Sequence, residues 1–245
     1  MEPLRRADRL RAGSAGRVTR RVLIVGASRG LGLGLVAQFL SRGWDVTATV
    51  RRPSLALDEL AAGHSLRIEI GVDIDDDSAV ADLRARLAEA PDFDIVFVVA
   101  GVATQAGTPA ALLPRDVVGS VFQTNAVSPI RFAETFHRRV APGGLIVLMT
   151  SKLGSVSLNR GGGWSSYRAS KAALNTLARS FAGQHKGADW GVILMHPGWV
   201  RTDLGGRRAT LDVETSARGM VNVLEGRLGQ RGCAYLDYAG ETVPW

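Results

Sequence analysis

Short runs dominated by Val, Ile and Leu alternate along the chain with longer stretches whose apolar residues recur every three or four positions. The short runs predict strands at Val22–Val25, Val46–Val50, Leu66–Ile70, Ile95–Val99, Leu145–Met149 and Val192–Met195, with a weaker seventh at Ala234–Leu236. Several are apolar at nearly every position, as strands covered on both faces are. The longer stretches predict helices at Leu31–Arg42, Asp76–Glu89, Asp116–Arg139, Ser165–Lys186 and Val213–Leu228. Strand–helix alternation with right-handed crossovers predicts an α/β fold: one doubly wound parallel sheet of about seven strands, helices on both faces. No Pro/Ser-rich linker or repeat interrupts the alternation, so residues 21–245 read as a single domain.

The first predicted strand runs into Gly26-Ala27-Ser28-Arg29-Gly30-Leu31-Gly32 and then a helix. In such a turn Gly26 permits the sharp bend, Gly30 lets backbone approach a ligand, and Gly32 lets helix and strand pack closely. Free N–H groups and the positive dipole end of the helix suit a pyrophosphate. The same residues also spell G-x-S-x-G, the nucleophile elbow of a serine α/β-hydrolase with Ser28 as nucleophile. That alternative needs an oxyanion-hole donor from an earlier strand–helix loop, and only an Arg-rich leader precedes this strand.

The second predicted strand ends in Val50-Arg51-Arg52. A site for NAD places an acidic residue about 20 positions beyond the glycines, to bind the ribose 2′-hydroxyl. Here two arginines occupy that place, and Asp58 lies too far on. Guanidiniums suit a 2′-phosphate, and Arg29 adds a third cation, so NADP(H) is expected in preference to NAD(H). Asp73 and Ile74, closing the third predicted strand, offer a carboxylate and an apolar side chain to an adenine.

The net charge of +7 changes this picture less than its size suggests. Residues 1–21 hold Arg5, Arg6, Arg9, Arg11, Arg17, Arg20 and Arg21 against Glu2 and Asp8, a surplus of five that leaves the remainder at +2. The basicity belongs to a leader, residues 1–20, expected to be a disordered arm, and no nucleic-acid face is expected on the folded part. The leader has no apolar core of the kind a secretory signal carries. No apolar run approaches the ~20 residues of a membrane helix, so no membrane partner is expected. The single cysteine, Cys233, excludes an internal disulfide and a Cys-based metal cluster; a reducing, cytoplasmic setting follows as the expectation, with no metal.

The predicted helix from Ser165 opens with Tyr167-Arg168-Ala169-Ser170-Lys171. Residues four apart share a helical face, which brings the ammonium near the phenol. Three tyrosines and three lysines scattered at random along 245 residues would give this spacing roughly 0.04 times. Together with the G-x-x-x-G-x-G turn, this Y-x-x-x-K resembles the signature of the short-chain dehydrogenase/reductase family, over residues 21–245. The likeness narrows to its C-factor/sniffer-like carbonyl reductase branch through Met149–Ser155, Gly161-Gly162-Gly163-Trp164, Tyr167–Asn175, His196–Asp203 and the terminal Pro244-Trp245.

The resemblance implies a Rossmann-type fold and an NADPH-dependent reductase of aldehyde and ketone carbonyls, reversible as an alcohol dehydrogenase. A non-catalytic dinucleotide-binding signalling protein of the C-factor type is the alternative. It implies Tyr167 as proton donor, its pKa lowered by Lys171 and by oxidised nicotinamide, and Lys171 also bonded to the nicotinamide ribose. Ser151 would bond the substrate oxygen; it stands sixteen residues before Tyr167, and Ser155 twelve. The strand end favours Ser151, and the Gly-rich insertion 160–163 absorbs the excess.

Asn125 matches the family's fourth catalytic residue, which holds a relay water. Pro129 lacks an N–H and so leaves the carbonyl of Asn125 without its helical partner, at an expected kink. Pro197, Gly198, Val200 and Thr202 resemble the loop that binds the nicotinamide carboxamide. Ala100 and Gly101 resemble the adenine-side turn, although Val98-Val99 replaces the family's Asn-Asn. His196 reads as structural. Trp164 and Trp199 are candidates for the pocket wall or the core, with residues 103–116 and 203–212 bordering the pocket. A homo-oligomer, dimer or tetramer, is also implied.

Overall fold

A computed structural model describes residues 19–245; the basic leader therefore lies, but for its last two residues, outside the described residues. Seven strands form one parallel sheet in the order β3-β2-β1-β4-β5-β6-β7. They are β1 Arg21–Val25, β2 Asp45–Val50, β3 Leu66–Ile70, β4 Phe93–Val98, β5 Val140–Met149, β6 Trp190–His196 and β7 Gly232–Asp237. The helices are α1 Gly30–Ser41, α2 Leu55–Ala61, α3 Asp77–Arg86, α4 Arg115–Phe122, α5 Ser128–Phe136, α6 Ser165–Gln184 and α7 Val213–Arg227.

Period-two alternation divides each central strand between two cores. Val22 and Ile24 of β1 join Ile95, Phe97, Leu145 and Val147 under α1, α2 and α7. Leu23 and Val25 join Val96, Val98, Ile146 and Leu148 under α3, α5 and α6. This is the doubly wound sheet that the continuous apolar strands predict, in one domain. Its strand order reverses between β1 and β4, and the crevice at their C-terminal ends is where such sheets bind ligands.

Three local expectations need correction. The segment read as one helix from Asp116 to Arg139 is α4, a π turn at Gln123–Val127, α5 and a 3-10 turn at His137–Arg139. The wide turn falls just before Pro129, where the ring would collide with the carbonyl four residues earlier. The short helix α2 escapes the pattern because seven residues with one buried position, Leu57, carry little periodicity. Strand β5 starts at Val140, five residues before the apolar run, because its first part pairs with β4 across a register shift between Phe93 and Ile95. Gly144 tolerates that crossing: an added Cβ would lie 2.7 Å from the Asp94 carbonyl. Among the described residues, no helix is long and apolar enough to cross a membrane.

Candidate active site

The first turn is built by close approach of backbone. Gly26 has φ +92°, and its missing Cβ would stand 3.0 Å from Ala100. A Cβ on Gly32 would lie 2.1 Å from the Gly26 carbonyl, so only glycine lets α1 start against the turn. Gly30, at φ +54°, faces Thr202. Arg29 precedes α1 without a side-chain cap, which leaves the first amides of the helix to an anion. Backbone bonds alone hold the neighbouring turn: Val99 and Ala100 both donate to the Val25 carbonyl, at 2.9 and 3.1 Å.

From this turn a cleft of about 550 Å³ runs across the sheet's C-terminal edge. It is lined by Gly26, Ser28, Arg29, Gly30, Leu31 and Gly32, by Arg51, Asp73 and Ile74, by Ala100 and Gly101, by Tyr167 and Lys171, and by Pro197 and Thr202. These residues come from distant parts of the chain, and the fold brings them to one crevice. Arg52, Gly198 and Val200 do not line it. Val200 is buried and bridges to Leu211, Gly198 turns against Leu211 and Tyr238, and Arg52 faces solvent. Asp73 and Ile74 lie beyond β3, which ends at Ile70, and Asp73 pairs with Arg51 at 3.5 Å.

At the inner end Tyr167 and Lys171 stand on the buried face of α6, 7% and 3% exposed. The Tyr167 hydroxyl faces Ser151, whose polar side chain favours the phenolate. Ser151 follows the end of β5 and accepts from the Leu153 amide at 3.1 Å. Ser155, 1% exposed, is occupied elsewhere, with Ser157 and the Leu158 amide. Lys171 Nζ donates to the Met149 carbonyl at 2.9 Å and lies 5.9 Å from the centre of the Tyr167 ring. Ser151→Ala is expected to lower turnover by about a hundredfold, the scale of losing one oxyanion donor, while Ser155→Ala leaves kcat nearly unchanged. Steady-state kinetics of both variants checks this, and the opposite ranking would move the assignment to Ser155.

Burial sets the electrostatics. It pushes the Tyr167 phenol up to about 12, against a smaller lowering by neighbouring Ser151. The lowering expected from Lys171 is therefore not what the protein alone produces, because desolvating a phenolate outweighs an ammonium that makes no bond to it. Burial also pushes Lys171 down to about 8.

Asn125 is fully buried in the π turn and clamps the site from behind. Its Oδ1 accepts from the Val102 amide and its Nδ2 donates to the Val102 carbonyl, both at 2.8 Å, and Nδ2 also donates to Ser170 Oγ at 3.0 Å. Ser170 in turn donates to the Tyr167 carbonyl at 2.8 Å.

Other residues at the site have no role assigned from the sequence, or only a place on its border. Tyr235 of β7, the weakest predicted strand, donates to the Ser151 carbonyl at 2.5 Å and so fixes the serine's backbone. Asp203 pairs with Arg29 at 2.8 Å across the cleft mouth. Leu204 and Thr104 line the cleft at the edges of the two predicted border segments. Trp164 and Trp199 are 37% and 53% exposed, so neither is core. The Trp164 ring meets Tyr167 edge-on at 5.8 Å. His196 is pushed down to about 4, chiefly by burial. None of the four histidines lines the cleft, so Ser28 has no histidine base there and the elbow reading falls.

The family profile described as short chain dehydrogenase matches residues 20–211. The chain belongs to the short-chain dehydrogenase/reductase family. It is an oxidoreductase of that family, in the C-factor/sniffer-like branch. It is 39% identical over 126 residues to C-signal of Myxococcus xanthus, a match covering 51% of this chain and 76% of that protein. A carbonyl reductase from Pseudomonas aeruginosa PAO1 in complex with NADP superposes with TM-score 0.86 at 38% identity, over 93% of this chain and all of that one. The carbonyl reductase Sniffer of D. melanogaster superposes with TM-score 0.80 at 29% identity, again over 93% of this chain and all of its own.

Proposed function

We propose that this short-chain dehydrogenase/reductase reduces aldehyde or ketone carbonyls with NADPH and runs in reverse as an alcohol dehydrogenase. The observation that carries the reading is the buried Tyr167 phenol, set against Ser151 and Lys171, at the inner end of the glycine-turn cleft. The turn fits a dinucleotide: its glycines let the start of α1 pack against the turn, and the uncapped first amides of that helix suit its phosphates. Arg51 and Arg29 supply the cations that a 2′-phosphate calls for, and NADP sits in the related Pseudomonas enzyme. The cofactor, when bound, supplies the hydride.

Tyr167 gives the carbonyl oxygen its proton, and Ser151 donates a hydrogen bond to the same oxygen as charge develops there. Lys171 holds the nicotinamide ribose and places a positive charge one helical turn from the phenol. The Asn125 carbonyl serves the water that returns a proton to Lys171. Pro197 and Thr202 border the nicotinamide, with Gly198 and Val200 shaping that loop from behind.

The test mixes the protein with NADPH or NADH and a panel of aldehydes and ketones, following absorbance of the reduced nicotinamide. Oxidation with at least one carbonyl is expected, faster with NADPH. Arg51→Ala should weaken NADPH about ten- to hundredfold, the scale of a lost charge-assisted bond, and leave NADH nearly unaffected. The likeness to C-signal favours a second reading, signalling through dinucleotide binding alone. NADPH binding with no oxidation across the panel would establish that reading and overturn the first.

A further inference from the structure

At the far end of the helical segments that carry Tyr167 and Asn125, two of the chain's four histidines meet a carboxylate. Glu134 lies in the last turn of α5, His137 in the 3-10 turn that follows, and His185 at the C-terminal cap of α6. Each offers one ligand atom, and these atoms all lie within 4.8 Å of one another. His185 Nε2 stands 3.3 Å from a Glu134 carboxylate oxygen. Two ligands at ~2.0–2.1 Å from a tetrahedral zinc ion are about 3.3 Å apart, so this pair is already at a zinc-binding spacing.

The His137 ring comes within 4.0 Å of the same carboxylate at Nδ1, which also lies 2.8 Å from the Glu134 backbone carbonyl. That contact to the backbone carbonyl fixes the orientation of the ring beside the carboxylate.

Two further features suit a cation. The C-terminal ends of α5 and α6 converge here, with their partial negative charge, and a carboxylate in a last helical turn is disfavoured unless a positive group joins it. The imidazoles are also held in place. The His185 ring lies 4.7 Å from Phe181 and 5.5 Å from Trp190, and the His137 ring 4.6 Å from His185. The histidine side chains are only 19% and 25% exposed, whereas Glu134 at 44% opens the site to an entering ion and to water.

We propose that Glu134, His137 and His185 bind one divalent first-row metal ion, best Zn²⁺, with water in the remaining position. At 1.5 Å per residue, His185 is about 27 Å along the helix from Tyr167. The ion therefore has no part in the chemistry; it ties together the ends of α5 and α6. The site departs from the expectation of no metal because Glu134 and His137 meet His185 only through the packing of α5 on α6.

The experiment titrates ZnCl₂ into the untagged, EDTA-dialysed full chain by calorimetry, with melting followed in parallel. One equivalent should bind with micromolar or tighter affinity and raise the melting midpoint. His185→Ala and Glu134→Gln should each weaken binding at least tenfold, while His64→Ala, at an exposed histidine elsewhere, leaves it unchanged. Should His185→Ala fail to fold, Glu134→Gln alone decides. No saturable single site, or affinity unchanged from the parent in the Glu134 and His185 variants, would overturn the proposal and leave an aromatic and ion-pair cluster.

Discussion

Tyr167→Phe is expected to lower kcat for carbonyl reduction about a thousandfold, within the range of a lost general acid, with NADPH affinity changed by no more than a few-fold. The ring keeps its packing, edge-on to Trp164 and beneath Lys171. Only the hydroxyl is lost, and Ser151 retains its bond from the Leu153 amide. Burial holds the phenol at about 12, so the donor keeps its proton through the neutral and mildly alkaline range. Steady-state kinetics would be paired with cofactor titration by fluorescence and a melting curve. A loss below tenfold in a protein that melts normally would place the proton source elsewhere.

Lys171→Met is expected to cost about a hundredfold in kcat/KM, at the lower end of a lost acid–base partner, and yet to make the protein more stable near neutrality. Burial pushes this ammonium from 10.5 down to about 8. Below pH 8 both folded and unfolded chains carry the proton, and the folded state bears the full penalty, up to about 3 kcal/mol at ~1.4 per pKa unit. Between about 8 and 10.5 the unfolded chain binds more protons, so the penalty fades as pH rises. Tyr167 acts in the opposite sense between 10 and about 12, where the unfolded chain ionises first and stability falls with rising pH.

The melting midpoint of Lys171→Met should thus exceed that of the parent at pH 7, with the gap narrowing above pH 8. In the parent, kcat/KM should fall as pH passes about 8 and Lys171 loses its charge. Lys171→Arg, charged at every such pH, should lose that limb of the profile even if slower. A falling limb that persists in the arginine variant would assign it to another group.

Much of the site was legible because its parts are local. A glycine turn between an apolar strand and a helix, and a Tyr–Lys pair one turn apart, each sit within a few residues, where spacing dictates geometry. The choice between Ser151 and Ser155 was of a different kind. Both spacings are plausible in sequence, and only the course of the chain after β5 sets Ser151 against the phenol while burying Ser155 with Ser157. Tyr235 lies in no motif, and Asp203 only closes the His196–Asp203 segment without a role of its own, because each acts through a partner far away in the chain.

Strand-by-strand hydropathy was enough for the sheet and its two covered faces, and the local motifs for the likeness to the family, since period-two burial and short-range motifs are properties of neighbouring residues. The phenol's proton affinity was not: a Lys four positions on argues for lowering it, yet the packed protein raises it. Desolvation depends on everything the fold stacks around a group, and that is decided only in three dimensions. The meeting of Glu134 and His137 with His185 is of the same origin, since no helical period relates residues on different helices.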